Sequence, residues 1–271
     1  MKNTQKQAVG QAILIGVDKL DPAHYGDFRP KLLSPNKDVA DLAMIAKLAG
    51  LNVQTFVDEE ATKPKLANAL VKTAKSLKEG DFLLLTFAGY GGLTPNFDGH
   101  RTNSHSTTWC LHNGQLLQAE LFQMLASIAE GVNILVISDT STSAPCWRLE
   151  TSSSLPDSTA RTLPNEVATS VYLRNKDYYD AAHLLTDSKT QLAASLVWVS
   201  ASHPNQKALE NEQNGFLTAA IKHVWNGGGF SGTLDFFLEQ VTMVLPPVQS
   251  PKISGHGSSP EKILNRKPFA I

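Results

Sequence analysis

Asp81-Phe82-Leu83-Leu84-Leu85-Thr86-Phe87-Ala88, running into Gly89-Tyr90-Gly91-Gly92, is the stretch on which the fold turns. An apolar run that ends in a glycine-rich loop is the strongest strand signal in the chain, and it predicts a strand over 81–88. A second run, Val132-Asn133-Ile134-Leu135-Val136-Ile137-Ser138, is apolar without alternation, which predicts burial on both faces and a central place in a parallel sheet. It feeds Asp139-Thr140-Ser141-Thr142-Ser143-Ala144.

Working outward, Ala12 to Val17, Leu51 to Val57 and Leu196 to Ala201 read as further strands. From Asp38 to Leu48, Val39, Leu42, Ala43, Ala46 and Ala49 recur at helical spacing before Gly50. Thr62 and Pro64 open a second helix, with Leu66, Leu70, Ala74 and Leu77 on one face and Gly80 as its stop. Helices are also predicted at about Leu117 to Glu130, Phe216 to Trp225 and Leu234 to Val244, with Gly227-Gly228-Gly229 as a helix terminator and short irregular pieces after Pro246-Pro247. Strands alternating with helices predict an α/β fold, a mostly parallel central sheet flanked by helices on both faces. Gly89 to Thr108 is too polar for core and reads as a working loop, while 139–165, rich in Ser, Thr and Pro, reads as a mobile excursion.

Composition works by exclusion. The 271 residues carry 24 Lys or Arg against 25 Asp or Glu, a formal charge of −1, so no basic face for nucleic acid is implied. No apolar run approaches the ~18 residues needed to cross a bilayer, so a membrane is not expected as a partner either. Two cysteines, Cys110 and Cys146, cannot build a disulfide framework, and Met1-Lys2-Asn3-Thr4-Gln5-Lys6 lacks the apolar segment of a secretory signal. The expected location is cytoplasmic.

Ligands of open α/β sheets bind beyond the carboxyl ends of the strands, which directs attention to 87–92 and 139–144. These loops, with Ala12-Ile13-Leu14-Ile15-Gly16-Val17, Lys37-Asp38-Val39-Ala40-Asp41-Leu42, Gly80-Asp81, Trp109-Cys110-Leu111, Gln115-Leu116-Leu117, Asn214-Gly215-Phe216 and Pro246-Pro247, resemble caspase-type peptidases of the prokaryotic metacaspase (orthocaspase) group. The resemblance lies in order and spacing and covers nearly the whole chain. It implies a caspase-like (caspase–hemoglobinase) fold in a single domain over 1–271, with a p20-like core over 12–138, a mobile loop over 139–165 and a p10-like part over 166–271. It also implies a cysteine endopeptidase of the peptidase C14 family, whose first loop supplies a His and whose second supplies a Cys.

Here the matching positions hold Tyr90 and Ser141. A phenol titrating near ~10 is a donor rather than a base at neutral pH, and a serine hydroxyl without a base is nearly inert. Loss of such a pair costs on the order of 10⁴ to 10⁶ in kcat. By the same resemblance Asn113 and Pro204 stand where acids would hold a basic substrate side chain, and Ser202 stands where a Cys is common. An Arg or Lys is therefore expected to find no counter-charge in that pocket. Asp139, beside Thr140, and Gly89, Gly91 and Gly92 keep the scaffold of the two loops.

The expectation is a catalytically inactive homologue with Tyr90 and Ser141 as a remnant dyad. It would act by binding a protein or peptide, an active caspase-like relative among them, with no metal and no cofactor. Two alternatives stay open: a hydrolase rebuilt around Ser141 with His100, His105 or His112 as base, and a ligand-sensing module in which 139–165 orders on binding. Tyr90 reads as an aromatic that closes the cleft with its hydroxyl on Ser141, Cys110 reads as core, and Cys146 has no neighbouring His or Lys to activate it. Of Arg148 and Arg161, the basic residues of 140–165, Arg161 is expected to be the exposed one and open to trypsin.

Overall fold

The computed structural model describes residues 8–30, 32–96, 104–141, 155–186 and 190–271. The chain begins β1 (Gly10–Gly16), α1 (Pro22–Tyr25), α2 (Pro35–Leu48), β2 (Asn52–Val57), α3 (Lys63–Ser76), β3 (Phe82–Ala88). It continues β4 (Gly91–Asn96), β5 (Ser104–Leu111), β6 (Gly114–Leu117), α4 (Gln118–Leu125), β7 (Asn133–Asp139) and β8 (Thr159–Ala160). It ends α5 (Asn165–Arg174), α6 (Lys176–Leu185), β9 (Ser195–Ser200), β10 (Leu209–Glu210), α7 (Phe216–Trp225), α8 (Leu234–Val244), β11 (Lys252–His256), α9 (Pro260–Leu264).

The main sheet has the order β11-β9-β7-β3-β1-β2, parallel throughout except for β11, which runs antiparallel to β9 at the edge. Two-residue periodicity sends alternate side chains of each central strand to opposite layers. Leu83, Leu85 and Phe87 of β3 pack with α3, α4 and α5, while Phe82 and Leu84 join α2, α7 and α8 on the other face. Each buried Leu contributes on the order of 2 kcal/mol, so unbroken apolar runs in β3 and β7 stabilise both layers at once. The fold is the predicted α/β sheet with helices on both faces. Among the described residues no helix is long and apolar enough to cross a membrane.

Register, more than layering, positions the site. Ala88 pairs with Asp139 at the carboxyl ends of β3 and β7, so the loops that follow, from Gly89 and from Thr140, leave the sheet side by side.

Three expectations need correction. Gly89 to Thr108 is not a plain loop: β4 and β5 form an antiparallel hairpin with Gly91 opposite Trp109, and β6 extends it to three strands. Its threonines favour strand through their branched Cβ, and their polarity concealed this; residues 97–103 lie outside the described residues. The C-terminal stretch is not irregular, because Lys252–His256 completes the sheet edge. The ends of 139–165 are also built into the fold: Asp139, Thr140 and Ser141 are buried, and Thr159–Ala160 pairs with β10. Residues 142–154, and with them Cys146 and Arg148, lie outside the described residues.

Candidate functional site

Beyond β3, Tyr90 is 4% exposed and belongs to the apolar layer, its ring set edge-on to Phe28 at 5.5 Å. Its carbonyl accepts the Cys110 N–H, which anchors the loop to β5. Gly91 has no room for a side chain, since a Cβ there would lie 1.9 Å from the Ser141 carbonyl oxygen. The glycine is what lets the two loops touch.

Beyond β7, Ser141 is buried and its hydroxyl accepts the Ala208 N–H at 2.9 Å. A pocket of about 20 Å³ beside it, lined by Trp109, Leu116, Leu121 and Trp198, holds one water at most. Trp109 stacks on Phe87 and donates its indole N–H to Ser138, so the wall of this pocket is fixed from β3, β5 and β7 together.

The charged part of the cleft centres on Arg161, which the sequence reading placed in solvent. The structure buries it completely. Its Nη2 pairs with Asp38, contacts Glu210 at 3.1 Å and donates to Ser34 at 2.9 Å. Nη1 donates to the Asp139 carbonyl at 2.9 Å and lies 3.2 Å from Asp139 Oδ1, without the alignment of a hydrogen bond. Trypsin has no access to this residue in the folded chain, and the physical reason is the neutralisation available inside: a buried guanidinium is tolerated where several acceptors face it.

The carboxylates are themselves held. Asp139 Oδ2 accepts the Thr218 N–H and hydroxyl, Asp38 Oδ1 accepts from Asn214 and the Gly215 N–H, and Glu210 Oε1 accepts the Leu33 N–H. Three acids around one cation leave excess negative charge in a dry place. Burial therefore pushes Asp38 up to about 7 despite Arg161, with Asp139 adding to the rise. The Arg161 guanidinium is held charged, because the attraction of Asp38, Asp139 and Glu210 outweighs its own desolvation.

The acids around Arg161 are Asp38, Asp139 and Glu210. Of the positions singled out in the sequence, Asn113 sits exposed in the turn between β5 and β6, its Oδ1 accepting the Lys63 N–H. Ser202 is buried with its hydroxyl on the Gln206 carbonyl, and half-buried Pro204 belongs to the same turn leading to Ala208. Gly91, Asp139, Thr140 and Ser141 do meet Arg161 or one another across the loop ends, while Gly89 lies against Phe87 and the Val17 carbonyl. His105 is exposed on β5 and His112 is held by the Lys19 carbonyl, while His100 lies outside the described residues. Cys110 is fully buried, which pushes its thiol well above the ordinary range. Sequence reasoning missed Asp38, Arg161 and Glu210 as a unit; the one available signal was an acid, Asp38, inside an otherwise apolar helix face.

Comparisons agree with this architecture. A structural-genomics crystal structure from Geobacter sulfurreducens superposes with a TM-score of 0.90 at 30% identity, covering 97% of this chain and 99% of that one. Caspase-1 of Spodoptera frugiperda shares the fold at 12% identity, TM-score 0.56, over 99% of this chain and 94% of its own. No curated protein matches by sequence. The family model of the caspase domain matches residues 9–260. With the sheet order, the paired loops beyond β3 and β7 and this match over almost the full length, the chain belongs to the caspase domain family of peptidases.

Proposed function

We propose that this caspase-domain protein is a catalytically inactive member that works by binding a peptide or protein partner, an active caspase-like relative among the candidates, in the cytoplasm. The observation that carries the reading is the state of the two reactive positions. Residue 90 is a buried phenol, and the Ser141 hydroxyl is engaged by the Ala208 backbone. A hydroxyl attacks a carbonyl when a neighbouring base takes its proton, and neither a phenol nor an amide N–H does so near neutral pH. Cys110 offers no replacement nucleophile, since a buried thiol held in its protonated form is inert.

The test is an amidase assay with Arg-, Lys- and Asp-terminated reporter peptides, with and without calcium, on the wild-type protein and Ser141→Ala. Both are expected at background. Turnover abolished by Ser141→Ala would overturn the reading and establish a hydrolase rebuilt around Ser141.

A further inference from the structure

The two edges of the main sheet are finished differently. At one, β11 opens on the exposed Lys252, and Pro260 packs over Gly255 near its end. Charge and an interrupting glycine of this kind discourage an edge from pairing with other chains. At the other, β2 reads Asn52-Val53-Gln54-Thr55-Phe56-Val57, with no charge, no proline and no glycine. Its register with β1 runs unbroken from Gln11 opposite Asn52 to Gly16 opposite Val57, so no bulge turns this edge away.

Asn52, Gln54, Thr55 and Val57 are exposed, and among the described residues no backbone group of 52–57 is hydrogen-bonded outside β1. A parallel strand gives the N–H and C=O of every second residue to its neighbour, so about three residues of β2 turn theirs outward. A straight row of such groups on residues that favour strand is a template for a further strand.

Two properties select the occupant. Asn52, Gln54 and Thr55 are neutral side chains that hydrogen-bond to their own kind, so like-on-like pairing sets no charge against its equal. The flanks of the strand do carry charge, and of opposite sign. Exposed Lys47 stands in the last turn of α2, and the turn after it, closed by the Gly50 N–H on the Lys47 carbonyl, leads into β2. Exposed Glu59 follows the strand. Antiparallel pairing about a two-fold axis brings each Glu59 end beside the Lys47 end of the other molecule, whereas parallel pairing would set like against like.

We infer that β2 is a self-association surface: two copies of this chain pair antiparallel through Asn52–Val57, continuing the six-stranded sheet from one molecule into the other. A two-fold contact closes on itself, so assembly stops at the dimer. The two sheets then run in opposite directions, and the loops beyond β3 and β7 stand at opposite ends of the pair, away from the contact. The inference does not depend on the inactive reading of Tyr90 and Ser141.

One strand from each molecule makes a small interface, so association in the micromolar range is expected. Sedimentation velocity on the wild-type protein from about 1 to about 300 μM is expected to show a monomer–dimer equilibrium. Amide hydrogen exchange within 52–57 is expected to slow as the dimer forms. Gln54→Lys with Thr55→Lys places lysines at the centre of the contact and is expected to raise the dissociation constant by at least about tenfold, leaving exchange within 52–57 independent of concentration. Both positions are exposed, and circular dichroism checks the fold. If the double variant does not fold, Gln54→Lys alone serves, with a rise of at least about threefold expected. Wild type that stays monomeric at about 300 μM overturns the inference. So does a dimer with unaltered exchange within 52–57, which would put the contact on β11 or another face, and so does a dimer that the lysines leave intact.

Discussion

At one end of the cleft, residues 90 and 141 present an aromatic ring packed into apolar surroundings and a hydroxyl satisfied by the backbone. At the other, Arg161, Asp38, Asp139 and Glu210 bring four ionisable groups into a space where each is at most 2% exposed. The first end is cheap to bury and carries no charge. The second is among the costliest arrangements a protein can contain, since each ion gives up several kcal/mol of hydration that must be recovered from its partners. The difference teaches that the two loop ends are held by opposite means, one by apolar packing and the other by mutual neutralisation of buried charge.

The largest effect expected from breaking the comparison is that of Arg161→Ala. Removing the cation leaves three carboxylates in a dry pocket, and stability is expected to fall by about 3–5 kcal/mol in urea unfolding; a loss below about 1 kcal/mol would show that the acids have another counter-charge. Gly215→Ala comes next, because a Cβ there would stand 2.4 Å from both Arg161 Nη1 and Asp139 Oδ2. About 2–3 kcal/mol is expected from that overpacking, and an unchanged unfolding midpoint would contradict the close approach. At the reacting end, Ser141→Ala strands the buried Ala208 N–H at a cost of about 1–2 kcal/mol, while background amidase readings stay where they were.

The last expected effect is pH dependence. Burial raises Asp38 to about 7 and Asp18 to about 6, both from an ordinary value of 3.8. A carboxyl whose folded value lies above its unfolded one favours the fold when protonated. That contribution is complete below the unfolded value and is lost as pH rises through the folded one, so stability is expected to decline from pH ~5 to ~8. Asp38→Asn is expected to flatten the profile, and a midpoint that rises over this range would count against a protonated Asp38.

What could be read from sequence followed the length scale of the signal. β3, β7 and the helices α2, α3, α7 and α8 announce themselves in apolar spacing within a dozen residues, and the loops at 90 and 141 follow from where those strands end. β4 and β5 were hidden because glycine, threonine and serine satisfy a hairpin as readily as a loop. Arg161 was misplaced for a stronger reason. Nothing next to it in the chain, Ala160 or Thr162, hints at burial; its acceptors come from Ser34, Asp38, Asp139 and Glu210, at separations of 127, 123, 22 and 49 residues. A charge neutralised only by the tertiary fold looks, in one dimension, like a solvated one.

Those separations bear on the order in which the molecule assembles. A junction of four remote segments gains its energy only after the strands carrying them are aligned, since the entropy of closing such long loops must be met first. The arginine joint is therefore expected to form after the folding barrier is crossed. Arg161→Ala would then raise the unfolding rate by most of its effect and leave refolding nearly unchanged in stopped-flow measurements. On that footing the arginine joint is a kinetic fastener: it governs how long the native state lasts more than how quickly it is found.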